Sequence, residues 1–205
     1  QVAAGLNMGI AGIPWWTTDI GGFFGANIND PEFHELLVRW FEYGCFCPVM
    51  RLHGYRWPLQ PQYGTTGGAT CVSGAPNEVW SYTDQVCEIL SDYLRLRERM
   101  LPYITELMEE AHEKGTPVMR PLFYDFPEDK ESWNVETEYM FGPKVLVKPI
   151  TDADARETDV YLPGGASWTN AWTGETFEGG QKVHVAAPIE QIPLFTRDGY
   201  KLPMK

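Results

Sequence analysis

The chain has 205 residues, enough for one large domain or two ordinary ones. Apolar residues make up 43% and charged residues 21%, which excludes a disordered chain. The net charge is −12, and acids outnumber bases 14 to 7 in residues 1–116 and 14 to 9 in residues 117–205. With no basic cluster, nucleic acid and anionic membrane are excluded as partners.

Residues 1–9 read as the end of a helix, with Gly12 close behind. Ala11 to Trp16 is short and apolar, which predicts a buried strand. Residues 17–25, Thr-Thr-Asp-Ile-Gly-Gly-Phe-Phe-Gly, hold three glycines in five positions and predict a loop. A helix follows. Asn29 or Asp30 caps it, Pro31 suits its first turn, and Phe33, Leu36, Leu37, Trp40 and Phe41 recur at helical spacing. Gly44 suits its stop. Phe46 to Leu52 predicts a second strand, running into Arg51-Leu52-His53-Gly54. Residues 55–77 show no period and many Gly, Pro and Thr, the mark of a long loop.

Residues 78–114 predict helix, broken at Pro102, with a second helix from Tyr103 to Lys114 ending at Gly115. From residue 117 the pattern changes. Short β-rich runs at 117–124, 144–150, 157–162, 181–187 and 192–196 alternate with turns such as Pro163-Gly164-Gly165, which predicts an antiparallel sandwich. The first part, by contrast, alternates helix and strand, the rhythm of a parallel α/β sheet. Two strands are too few for such a sheet, so residues 1–116 are expected to be the tail of a larger α/β domain.

Cys45, Cys47, Cys71 and Cys87 are too few for a disulfide scaffold. Cys45 and Cys47 lack the spacing of a zinc or redox motif and read as small buried hydrophobes; no metal or cofactor is expected. No apolar run is long enough to span a membrane. The N-terminus lacks the charged start and apolar stretch of a signal peptide, and the initiator Met is missing, as in a piece of something longer.

In parallel α/β folds ligands meet the loops that follow the strands. The first such loop holds Asp19, Phe23 and Phe24, the second Arg51 and His53. A carboxylate, a ring and an imidazole at one face make a polar pocket with an aromatic wall. Eight Trp beside many carboxylates suit a sugar ligand, since rings stack on pyranose faces and carboxylates accept from hydroxyls. Each residue has a plainer use. Asp19 can cap a glycine turn, His53 can hold a strand end, and Arg51 can pair with an acid.

These segments resemble glycoside hydrolase family 31. Gly12 through Phe23, reading G-I-P-W-W-T-T-D-I-G-G-F, is similar to its W-x-x-D-I-G-G-F segment. Arg39 through Gly54 is similar to its R-W-x-x-x-G-x-F-x-P-x-x-R-x-H segment. Arg99-Met100-Leu101-Pro102-Tyr103, Gly115 through Leu122, Tyr139-Met140-Phe141-Gly142, Val160-Tyr161-Leu162-Pro163 and Ile192 through Gly199 match later landmarks in order.

The resemblance implies the last strands and helices of a (β/α)8 barrel in residues 1–116 and a proximal C-terminal antiparallel β-sandwich in residues 117–205. It implies a retaining α-glycosidase whose nucleophile and acid/base both lie upstream of Gln1. Asp19, Phe23 and His53 would bind the sugar. Arg51 would support that shell, and Trp16 would line or support it. The implied partners are an α-linked xylose or glucose oligosaccharide and the remainder of the barrel. The wording of Trp16–Gly25, Arg51–Gly54 and the Gly64–Gly68 loop is similar to the bacterial α-xylosidase branch, with α-glucosidase second. A non-catalytic carbohydrate-binding unit is the reading from a different class.

Overall fold

The computed structural model describes residues 1–204. Helix α1 spans Val2–Ile10 and α2 spans Pro31–Cys45. The Asp30 carboxylate caps α2 by accepting from the Glu32 amide, and Pro31 occupies the first turn. Phe33, Leu37, Val38 and Phe41 are buried, whereas Leu36 faces solvent. Gly44 is not the helix stop; it lies inside α2, where a Cβ would come within 2.5 Å of Ile20 Cδ1. That glycine lets the helix press on the segment carrying Asp19.

The strands expected over Ala11–Trp16 and Phe46–Leu52 do not form a ladder. The two segments do run side by side in parallel: the Val49 amide donates to Trp16 O and the Ile20 amide to Arg51 O, with a bridge at Ile20 and Leu52. A parallel ladder needs successive, evenly spaced bonds between two strands, and these segments make one bridge. Among the described residues each segment has one neighbour only.

The long loop contains a hairpin the sequence did not announce. Strand β1 (Arg56–Gln60) pairs antiparallel with β2 (Ser73–Ala75). The helix expected from residue 78 begins later, as α3 (Asp84–Arg99), because Thr83 caps it by accepting from Val86 N. Helix α4 (Leu101–Lys114) carries Pro102 in its first turn and ends at Gly115, which is left-handed at φ +71°.

The second half is a two-layer sandwich. After β3 (Met119–Pro121) and the short helix α5 (Leu122–Asp125) come β4 (Tyr139–Phe141), β5 (Val145–Val147), β6 (Glu157–Leu162), β7 (Ser167–Asn170), β8 (Thr176–Glu178), β9 (Gln181–Ala186) and β10 (Leu194–Arg197). One sheet has the order β3-β4-β5-β10-β7-β8; the other is β6-β9, and every pairing is antiparallel. Met140, Leu146 and Phe195 join Val160, Leu162, Val183 and Trp168 in the core between the sheets. Their strand neighbours Tyr139, Phe141, Val145, Val147 and Leu194 point the other way, into the core shared with the helices. The large sheet is thus covered on both faces.

Polar ties join the halves. Arg39 of α2 donates to the carbonyls of Ala155, Ala187 and Pro188 and to Glu42. The Tyr93 hydroxyl lies 3.0 Å from Glu42 Oε1 and accepts from the Ile192 amide. Arg97 donates to the carbonyls of Cys45, Cys47 and Pro48, pinning the start of the second parallel segment to α3. Cys45 and Cys47 are buried free thiols, both pushed up to about 12, chiefly by burial.

Candidate functional site

Two adjacent loops carry the expected residues. The first leaves Thr18, whose hydroxyl accepts from Trp40 Nε1 of α2. It then turns at Gly21 and Gly22, both at positive φ, with the Gly22 amide donating to Asp19 O. The second leaves Met50 and passes through Arg51, Leu52 and His53 into Gly54. A Cβ on Gly54 would collide with the carbonyl oxygens of Phe23 and Gly22, so the two loops touch backbone to backbone. The Tyr55 amide donates to Phe23 O, and Asn77 Nδ2 donates to Gly54 O from the far side.

This contact pairs the side chains. Arg51 Nη2 lies 2.5 Å from Asp19 Oδ1, with the Asp19 side chain 26% exposed. The rings of Phe23 and His53 lie 5.6 Å apart at 33°. Phe24 stands edge-on to Phe23 at 6.1 Å and stacks with Tyr55 at 6.4 Å. A charged pair and a run of exposed rings therefore share one rim. Trp16 is placed differently. Its indole donates to the Tyr43 hydroxyl and packs on Gly5 of α1, while its backbone carbonyl accepts from Val49. It supports the segment from beneath.

Sequence reasoning missed Arg56. Its side chain is fully buried and donates to Ile20 O and Gly22 O on the first loop. The signal was present: a cation two residues before a proline, in the run Tyr55-Arg56-Trp57, where strand alternation turns Tyr55 and Trp57 outward and Arg56 inward. Tyr82 lies beside it. Burial raises that phenol's pKa, and Arg56 opposes the rise.

Two cavities lie away from this rim. One of about 660 Å³ separates α3 from the sandwich at Tyr93, Trp172 and Glu190. An open groove of about 680 Å³, walled by Met50, Leu52, Val79, Trp80, Leu101 and Met108, flanks the second parallel segment. Among the described residues no group of three or more His, Cys, Asp or Glu side chains is placed to hold a metal, and no helix is long and apolar enough to cross a membrane.

The family model described as the glycosyl hydrolases family 31 TIM-barrel domain matches residues 1–107, and the family 31 C-terminal domain matches residues 115–202. An α-xylosidase of Saccharolobus solfataricus is 39% identical over 204 residues, covering 100% of this chain and 25% of that protein. An α-glucosidase 2 of Bacillus thermoamyloliquefaciens is 35% identical, covering 95% of this chain and 22% of that protein. A crystal structure of a family 31 α-xylosidase from a soil metagenome, complexed with xylose, superposes with a TM-score of 0.94 at 51% identity. That match covers 98% of this chain and 30% of the other. The chain thus spans about a quarter of the length of the α-xylosidase it matches.

Proposed function

The chain belongs to glycoside hydrolase family 31, as the end of its TIM barrel followed by its C-terminal β-sandwich domain, and from that premise we propose that it carries the sugar-binding part of a retaining α-glycosidase acting on terminal α-xylosyl residues. The barrel portion runs to residue 116 and the sandwich from residue 117. The observation that carries the reading is the meeting of Asp19–Arg51 and Phe23–His53 on one rim, where two parallel segments end.

The chemistry fits a neutral polyol. The Asp19 carboxylate accepts from a sugar hydroxyl, and Arg51 holds that carboxylate in one rotamer. A neutral His53 imidazole offers one donor and one acceptor to adjacent hydroxyls. The Phe23 ring covers the apolar face of the pyranose and holds water off those bonds. None of these groups attacks the anomeric carbon. Retaining hydrolysis needs two carboxyls about 5–5.5 Å apart, a nucleophile and an acid/base. We place both on barrel strands preceding Gln1. The rest of that barrel covers the apolar groove beside Met50 and Leu52. A glucoside substrate is the second reading, favoured by the 35% identical α-glucosidase.

The experiment is release of 4-nitrophenol from its α-xyloside and α-glucoside. Purified 1–205 is expected to release none, and the complete enzyme containing it is expected to prefer the xyloside. Turnover by 1–205 that Asp19→Asn abolishes would contradict the assignment of roles. Preference for the glucoside would replace the substrate.

A further inference from the structure

We propose that Arg56 is a positioning residue of the sugar site: its guanidinium fixes how the loop bearing Asp19 and Phe23 sits against the loop bearing His53. The proposal rests on reading that rim as a sugar subsite.

Arg56 has no exposed surface. Nη2 donates to Ile20 O at 3.1 Å, and Nη1 donates to Gly22 O at 2.8 Å and to Tyr55 O at 3.1 Å. One planar fork therefore grips both sides of the Gly21 turn and the strand that leaves His53. The turn is wrapped closely on it, since a Cβ on Gly21 would stand 2.6 Å from Nη2. The guanidinium lies over the Phe33 ring of α2, 5.2 Å from its centroid. None of the ion pairs among the described residues includes Arg56. Its buried Nε has no hydrogen-bond partner.

A buried cation with no carboxylate partner is an expensive way to stabilise a fold. What the guanidinium supplies here is geometry. Its donors diverge at a fixed angle, so the Ile20 and Gly22 carbonyls are held at a set separation. A lysine reaches one of them. The backbone bond from Tyr55 N to Phe23 O does not involve the Arg56 side chain, so the loops keep one tie that is independent of the guanidinium. What changes is the shape of the turn between Asp19 and Phe23. Displacements of about 1 Å in positioning groups cost up to about a hundredfold in rate.

The test is steady-state kinetics of the complete enzyme on an aryl α-xyloside, with free xylose as product inhibitor. Arg56→Lys is expected to lower kcat/KM by about ten- to a hundredfold and to weaken xylose inhibition by a similar factor. Arg39→Lys, at the junction with the sandwich, is expected to lower the melting temperature at least as much while leaving both constants unchanged. Arg56→Lys combined with Asp19→Asn is expected to lose less than the product of the single effects, because both act through one carboxylate. A folded Arg56→Lys enzyme with wild-type kcat/KM and xylose affinity, in a background where Asp19→Asn is impaired, overturns the proposal and leaves the sugar site standing. An unimpaired Asp19→Asn overturns the sugar site itself. Should Arg56→Lys fail to fold, Phe33→Leu withdraws the ring beneath the guanidinium. It is expected to lower kcat/KM severalfold; a wild-type value there also overturns the proposal.

Discussion

Arg51 and Asp19 form an ion pair of 2.5 Å between the ends of two parallel segments that share few backbone bonds. The Arg51 side chain is 50% exposed, and a pair so open to water contributes about 0–1 kcal/mol to stability. Arg51→Ala is therefore expected to shift the unfolding free energy by no more than about 1 kcal/mol. The same change frees the Asp19 carboxylate to rotate, and kcat/KM of the complete enzyme is expected to fall about tenfold. Urea unfolding and kinetics on one variant check both halves. A large stability loss with unchanged kinetics would make the pair a structural clamp.

Gly54 carries the tightest approach between the loops. Its φ is +105°, and an added Cβ would strike two backbone carbonyls that no rotamer change can move. Gly54→Ala is expected to cost about 2 kcal/mol or more, well above an ordinary exposed-glycine substitution. It should also separate Phe23 from His53. Denaturant midpoints measure the first effect, and loss of xylose inhibition in the complete enzyme measures the second.

Stability should peak on the acid side of neutrality. Burial raises Glu42 to about 8 against the pull of Arg39, and burial raises Glu138 to about 7 against that of Lys148. Both pKa values are higher folded than unfolded, so the folded state holds each proton more tightly. That contribution is complete below about pH 4.5 and is lost as pH rises through 7 and 8. His184, raised by Asp159 and Glu157, has the same sign. In the other direction Glu35, lowered by Arg156, and Asp198, lowered by the Ser167 amide, lose their contribution as pH falls through their folded values. Melting temperatures are expected to be highest near about pH 5 and to decline toward pH 8. Glu42→Gln is expected to flatten that decline, since a neutral amide has no proton to lose.

Much of this was legible in the residues themselves. Helix α2 announced itself through Asp30, Pro31 and its apolar spacing, and α4 through Pro102 and Gly115. Strands β5, β6, β9 and β10 were visible as β-rich runs between turns. Strands β4, β7 and β8 were not: in β4 both faces are buried, so Tyr139-Met140-Phe141 shows no alternation, and β7 and β8 each carry a single apolar residue, Trp168 and Phe177. The segments 11–16 and 46–52 have strand-like composition, but composition does not supply the successive backbone bonds that a parallel ladder requires, and only the bridge at Ile20 and Leu52 is made. At the rim, Asp19 and Phe23 stood out beside their glycines, and Arg51 and His53 stood at the end of an apolar run. Arg56 did not, because its partners are main-chain carbonyls, which any sequence has, and its place between Tyr55 and Trp57 signals burial without saying what the guanidinium holds.

The central claim is that Asp19 contacts sugar and does more than shape the Gly21-Gly22 turn. The direct measurement is kcat/KM for an aryl α-xyloside by the complete enzyme carrying Asp19→Asn, with folding checked by thermal melting. Asparagine serves a turn as well as aspartate, so a turn-shaping role leaves the rate intact. A carboxylate that accepts from a sugar hydroxyl in a partly desolvated site is worth about 1–3 kcal/mol, or roughly ten- to a few hundredfold in kcat/KM. A folded Asp19→Asn enzyme reduced by that factor is the predicted result, with His53→Ala reduced less than Asp19→Ala. Wild-type kcat/KM in a folded Asp19→Asn enzyme would contradict the claim, and a wild-type value in His53→Ala as well would remove both residues from the site.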